Sequence, residues 1–362
     1  MRKSIVKLLI ILVVIVSLVV ACAPASTPEA TPKPTPAPEV IKWRMGTCWP
    51  ESLHTLLGID KFPEYVEEMS GGRFLIDLYA AGVVVPAYEV FDAVSKGTLE
   101  AGSTLSTYWT GKMPAAPFFG SVPTGMNDIG LMTWIKFGGG LELWRELYAP
   151  YNIIPFFNGV IPPESFAWSN KPIRSLADFE GLKFRTIGTW ADILKDMGVS
   201  ISTVPGGEIY SALEKGIIDA TEYSTPAVDR MLGFHEIAKY MVVPGVHSPG
   251  TCLETLVNKD AWEALPDDLK AIFEAANDKV ALNLEAHCAM EDMKALAAFK
   301  DYGVEIIELD KEVLAKVKEL TIEKDKELAA KDPMYAKVMK SYRDFQKEWD
   351  DYESLIMKIE YE

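Results

Sequence analysis

Apolar and polar positions change period along this chain. Short apolar runs rich in β-branched and aromatic residues fall at 42–46, 74–79, 100–104, 153–157, 165–170, 183–186, 201–204, 220–223, 253–258 and 304–308. These read as strands, and the helical spacing between most of them predicts an α/β chain with mostly parallel strands. The last third differs: 266–302 reads as one long helix and 311–331 as another. After Pro333, the positions Tyr335, Val338, Tyr342, Phe345, Trp349, Tyr352 and Ile356 alternate by three and four, a narrow aromatic seam. Such a seam packs either on its own lobe or on a second subunit.

One block occurs twice. Val85-Pro-Ala-Tyr-Glu-Val-Phe-Asp-Ala-Val-Ser-Lys-Gly-Thr-Leu-Glu-Ala101 returns without a gap as Val204-Pro-Gly-Gly-Glu-Ile-Tyr-Ser-Ala-Leu-Glu-Lys-Gly-Ile-Ile-Asp-Ala220. Each copy reads as a Pro near a helix start, a Lys-Gly stop and a short strand. Two such units predict two similar lobes facing a cleft, where small molecules bind and hinge closure traps them. The period is too long for a solenoid.

The front of the chain adds an address. Arg2, Lys3 and Lys7 precede an apolar stretch from Leu8 to Val20 that ends in Val19-Val20-Ala21-Cys22. At about 13 residues this stretch is shorter than the roughly 20 a membrane-spanning helix needs. It resembles the lipobox of bacterial lipoproteins, which makes residues 1–22 a lipoprotein signal peptide and Cys22 the lipidated first residue; an ordinary signal peptide is the alternative. Residues 23–40 carry six prolines among Ala, Thr and Ser and read as an extended tether. Lipid anchoring places the body outside the cytoplasm, on the outer face of the cytoplasmic membrane or in the periplasm, with bacterial multiple acylation as the implied anchor. The body divides into lobe I at 41–160 and 225–265, lobe II at 161–224 and 266–332, and a C-terminal helix at 333–362 suited to dimerisation.

Charge and motifs narrow the function. The formal net charge is −16, and losing Arg2, Lys3 and Lys7 with the leader lowers it by three, to −19. That argues against nucleic acid and against an anionic membrane face as partner. An anionic small ligand stays open, because one local arginine outweighs a diffuse, screened field. Cys48, Cys252 and Cys288 show no metal spacing, and the four histidines are scattered. No nucleophile elbow, P-loop or dinucleotide fingerprint is present, which favours binding over chemistry.

A set of motifs carries a resemblance: Tyr108-Trp-Thr-Gly-Lys-Met-Pro-Ala-Ala-Pro-Phe-Phe119, Leu182-Lys-Phe-Arg185 with Gly188, Pro205-Gly-Gly-Glu-Ile-Tyr210, Gly216-Ile-Ile-Asp-Ala-Thr-Glu222, Ala238-Lys-Tyr240 and Pro244-Gly245. The mature chain resembles the solute-binding subunits of tripartite ATP-independent periplasmic (TRAP) transporters, the DctP-type family. Within it, the chain looks most like the branch that binds 2-oxo and 2-hydroxy monocarboxylates. The resemblance implies a two-lobed periplasmic-binding-protein fold with a hinge, long lobe-spanning helices and a C-terminal helical extension. It also implies a homodimer held by that extension, a membrane permease as partner, and a calcium or sodium ion bridging protein and ligand.

Arg185 is the first site residue. A carboxylate is fixed in plane by two parallel donors, which guanidinium supplies and lysine does not, and the family places its carboxylate-binding arginine in this context. A structural salt bridge is the competing reading. By the same resemblance Glu222 binds the metal, and Tyr223 stands where the branch has tryptophan. Glu164, where the branch commonly has glutamine, and Ser248, where it commonly has an acid, suggest that one acid moved while the carboxylate count stayed constant. Glu164, Glu222, Tyr223 and Ser248 are therefore the expected metal group, and Glu164 exposed on a loop is the alternative. Tyr108 and Trp109 follow the first repeat's strand, symmetric to Glu222 and Tyr223, and are expected to cap the ligand unless Trp109 is core. Thr47 and Trp49 are weaker members of this wall, and Phe184 and Tyr210 read as core.

The expected function is a lipid-anchored receptor that captures a small organic monocarboxylate and delivers it to a permease. The alternatives are a receptor for a dicarboxylate or aromatic acid, marked by a second basic residue in the cleft, and more remotely a surface hydrolase using Glu164 and Glu222.

Overall fold

A computed structural model describes residues 40–356. The expected signal peptide, Cys22 and nearly all of the tether lie outside the described residues, as do the last six. The strands are β1 (Ile41–Thr47), β2 (Phe74–Tyr79), β3 (Ala101–Thr104), β4 (Ile153–Ile161), β5 (Ala167–Ser169), β6 (Lys183–Arg185), β7 (Ser200–Ser202), β8 (Ala220–Thr221), β9 (Tyr240–Val243), β10 (Thr251–Asn258) and β11 (Glu305–Glu308). Ten of these coincide with the strand signals in the sequence; β9 does not, because Lys239-Tyr-Met-Val-Val243 is too short to show a period.

The strands form two sheets, ordered β2-β1-β3-β10-β4 and β11-β9-β5-β8-β6-β7. Both are mixed, since β10 runs antiparallel to β3 and β4, and β5 runs antiparallel to β8 and β9. Sheet membership also differs from the expected division at one place. β9, inside the stretch 225–265 expected with the first lobe, pairs with β5 and β11 of the second sheet, and the chain returns to the first sheet only at β10.

The repeat is structural. Pro86 and Pro205 precede their helices at φ −56°, ψ 151° and φ −56°, ψ 152°. Gly97 and Gly216 end the turns at φ +71° and +66°, where a side chain would be strained. The first copy then feeds β3 and the second feeds β8, each next to the cleft between the sheets.

The helix Asp267–Tyr302 ties the halves together. Two aspartates sit in its first turn and Gly303 closes it in the left-handed conformation. Its buried stripe runs from Leu269 to Phe299 at steps of three and four. Phe273 packs with Trp43, Phe62 and Phe156 under the first sheet, while Phe299 meets Trp168 of the second at 4.8 Å.

The C-terminal helix Pro333–Ile356 lays its seam on its own first lobe. Tyr335, Val338 and Tyr342 are buried; Tyr335 and Tyr342 pack on Phe118, and Tyr342 also on Trp134. Tyr335 donates to Asp325 Oδ1 at 2.7 Å, and Trp349 Nε1 donates to Asn127 Oδ1 at 3.2 Å. Beyond Trp349 the helix leaves the core: Tyr352, Leu355 and Ile356 are 49%, 80% and 63% exposed.

Candidate functional site

Parallel pairing of β6 with β8 sets Arg185 opposite Thr221, so the ends of two adjacent strands carry Arg185 and Glu222 side by side. Arg185 is 1% exposed. Its Nη1 lies 3.3 Å from Glu222 Oε1 and donates to the Glu222 carbonyl at 3.1 Å, and its Nε donates to the Val204 carbonyl at 3.0 Å. Burial is the largest influence and lowers its pKa, but Glu222 together with Tyr88, Tyr108 and Tyr223 outweighs it and holds the guanidinium above its ordinary value. The expectation of two parallel free donors is corrected here. A buried guanidinium has to satisfy its N–H groups within the protein, and among the described residues only Nη2 is left without a partner.

Glu164 follows β4 and is buried, so the reading of an exposed loop acid is excluded. Its backbone N–H donates to the Ser248 carbonyl at 3.1 Å, and Thr251 Oγ1 donates to its Oε1 at 2.7 Å. His247 Nε2 lies 3.3 Å from Glu164 Oε2 and 4.0 Å from Glu222 Oε2, out of alignment for a hydrogen bond. One donor atom each of Glu164, Glu222 and His247 fall within 4.8 Å of one another.

These groups open on a cavity of ≈ 40 Å³ measured to the centre of a water-sized sphere. At roughly 10–15 Å³ per water it has room for about three, the scale of a small organic acid. Trp49, Tyr108, Trp190 and Tyr223 line it with Glu164, Arg185 and Glu222. Tyr223 sets its ring 5.4 Å from the Arg185 guanidinium, and its partnerless hydroxyl lies against Gly206.

Arg185, Glu164, Glu222, Tyr223, Tyr108 and Trp49 thus meet at one cavity, and four other expectations do not hold. Trp109 turns into the core and donates Nε1 to Glu254 Oε1 at 2.8 Å, because residues 106–109 form a tight 3-10 turn that points neighbouring side chains apart. Ser248 does not line the cavity; its hydroxyl bonds Thr251, which in turn bonds Glu164. Thr47 is buried beneath the wall, bonded to the Trp49 carbonyl and near His54. Phe184 is core as expected, whereas Tyr210 is half-buried at the surface beside Glu236.

Among the lining residues that sequence reasoning missed are His247 and Trp190. His247 stands between Pro244-Gly245 and Ser248, and no local pattern distinguishes it from its neighbours. Trp190, two residues past Gly188, stacks on His247 at 5.6 Å and 22°.

Comparison with known proteins fits this geometry. The family model for bacterial extracellular solute-binding protein, family 7 (DctP), matches residues 45–332. A monocarboxylate 2-oxoacid-binding periplasmic protein of Nostoc sp. is 36% identical over 308 residues, covering 85% of either chain. A TRAP transporter solute-binding protein of Bordetella bronchiseptica, solved as a mixed-occupancy dimer with calcium and picolinate at one site, superposes with TM-score 0.86 at 34% identity, covering 88% of this chain and 95% of that one. A TRAP periplasmic solute-binding protein of Pseudoalteromonas atlantica with bound sodium and pyruvate gives TM-score 0.85 at 31% identity, covering 88% and 98%. The chain belongs to family 7 of the bacterial extracellular solute-binding proteins, the DctP family, and is a TRAP-type solute-binding subunit.

Proposed function

We propose that this protein captures a small 2-oxo or 2-hydroxy monocarboxylate together with a calcium or sodium ion. The observation that carries the reading is the unpartnered, buried Nη2 of Arg185 beside the convergent carboxylates of Glu164 and Glu222. Two carboxylates supply the hard oxygen donors that such cations take, and the cation offsets their mutual repulsion. Arg185 meets the ligand carboxylate through Nη2, and the four aromatic residues exclude water. The calcium with picolinate bound in the Bordetella protein and the sodium with pyruvate bound in the Pseudoalteromonas protein support this set. Among the described residues Arg185 is the one lysine or arginine lining the cavity, which favours a monoanion over a dicarboxylate.

The protein is further proposed to be anchored through Cys22, to hand its solute to a membrane permease, and to dimerise through its C-terminal helix. The exposed Tyr352, Leu355 and Ile356 support the dimer, and so does the dimeric Bordetella relative. Sedimentation of the mature chain as a monomer at micromolar concentration would remove the dimer.

The site is tested by a thermal-shift screen of metal-stripped protein against pyruvate, lactate, dicarboxylates and aromatic acids, with and without calcium or sodium. Stabilisation by pyruvate or lactate that needs the cation and vanishes in Arg185→Ala is expected, since a ligand of the native state alone raises its stability. Stabilisation that ignores the cation or survives loss of Arg185 would overturn it.

A further inference from the structure

Asp229 lies in the helix Pro226–Met231, fully buried and absent from the cavity lining. Its Oδ2 accepts from Trp168 Nε1 at 2.7 Å and from Ser165 Oγ at 3.2 Å, and its Oδ1 accepts the Ser224 backbone N–H at 3.2 Å. Among the described residues no cation pairs with it.

A buried carboxylate without a cation is costly unless its hydrogen bonds compensate. All three donors come from two segments. Ser165 follows Glu164 directly and Trp168 lies in β5 just beyond it; Ser224 is two residues past Glu222. The same segments are joined by Ser165 N–H to the Ser224 carbonyl at 3.2 Å. Glu164 and Glu222 repel each other, and Arg185 restrains only Glu222. The backbone under both acids therefore needs an independent clamp, and every bond of Asp229 contributes to it.

We propose that Asp229 is a positioning residue for this pair, tying the entry to β5 and the exit from β8 together so that Glu164 and Glu222 converge on one cation. The proposal rests on the reading of those two acids as cation ligands.

The test is calcium affinity, by titration calorimetry on the metal-stripped mature protein without organic acid, read beside thermal stability. Asp229→Asn replaces one acceptor oxygen with a donor and cannot accept from both segments. Val317→Ala, in the core packed on the second sheet and away from the cavity, reports plain destabilisation. Asp229→Asn is expected to weaken calcium about 10-fold or more, as loss of outer support for metal ligands does, with Val317→Ala staying within about 2-fold at a comparable fall in Tm. Ser165→Ala removes one clamp bond and is expected to weaken calcium in the same direction; it decides the matter if Asp229→Asn does not fold. Wild-type affinity in both clamp variants, or an equal loss in Val317→Ala, would overturn the proposal. A wild-type protein that binds no calcium would overturn the cation reading itself and this inference with it.

Discussion

Arg185 Nη1 stands 3.3 Å from Glu222 Oε1 in a setting where neither side chain is more than 5% exposed. Removing one member of a buried pair strands the other charge, at a cost of about 3–5 kcal/mol. Arg185→Met is therefore expected to be strongly destabilised in urea, and Arg185→Met/Glu222→Gln to recover much of the loss. Equal destabilisation of the single and double variants would show that the pair is not coupled.

Tyr88 of the first repeat donates its hydroxyl to the Val204 carbonyl at 3.1 Å, and Val204 opens the second repeat. The bond joins the two repeats beside Arg185, whose Nε donates to the same carbonyl, and it lasts only while the repeats are in contact. Tyr88→Phe is expected to release ligand roughly 5-fold faster, the equivalent of about 1 kcal/mol for one hydrogen bond, with little change in association. Stopped-flow dissociation measures it, and an unchanged off-rate would mean the bond does not hold the closed form.

Glu254 on β10 is fully buried and accepts from Thr104 at 2.6 Å, Trp109 at 2.8 Å and Tyr148 at 3.0 Å. Burial pushes its pKa up to about 7, against the pull of these donors. Because the folded-state pKa is raised, the native state holds more protons than the unfolded chain between about pH 4.5 and 7. Stability from this group is thus present below that window and lost as pH rises through it, on the order of 3 kcal/mol in all. Glu254→Gln keeps the shape and is expected to flatten the fall in denaturation midpoint between pH 5 and 8; a slope equal to wild type would contradict the shift.

Gly245 runs so close to the Glu164 backbone that a Cβ there would land on the Glu164 carbonyl. Backbone yields less readily than a side chain tip, so Gly245→Ala is expected to cost at least about 1–3 kcal/mol. It should also move Glu164 and weaken the cation. A variant with wild-type midpoint and calcium affinity would show that the loop adapts.

Much of this was legible from local order. The long helix Asp267–Tyr302 is written in its stripe, its acidic first turn and Gly303, features that depend on neighbours along the chain. The repeat was legible for the same reason: two copies of one local code adopt the same dihedral angles. Arg185, Glu222 and Tyr108 are legible because their motifs recur in a family whose cleft is built from strand ends, and Glu164 because it departs from that family's glutamine.

What stayed hidden depends on direction and partners. Whether Trp109 or Tyr108 faces the cavity is set by one tight turn, and a shift of one residue swaps wall for core. Ser248 and His247 are neighbours in sequence, yet only His247 lies beside the acids, because the chain after β9 turns to hand the Ser248 hydroxyl to Thr251.

The sequence by itself determined the class of fold, the internal repeat and the long helices, because periodicity, caps and residue type act over a few positions. Tertiary structure alone decided the membership of β9, which donors of Arg185 remain free, that Glu164 is buried, and that the aromatic seam of 335–349 packs on its own lobe. Those outcomes are settled by contacts between segments far apart in the chain, where hydrogen-bond satisfaction and packing choose among orientations that local pattern leaves equal.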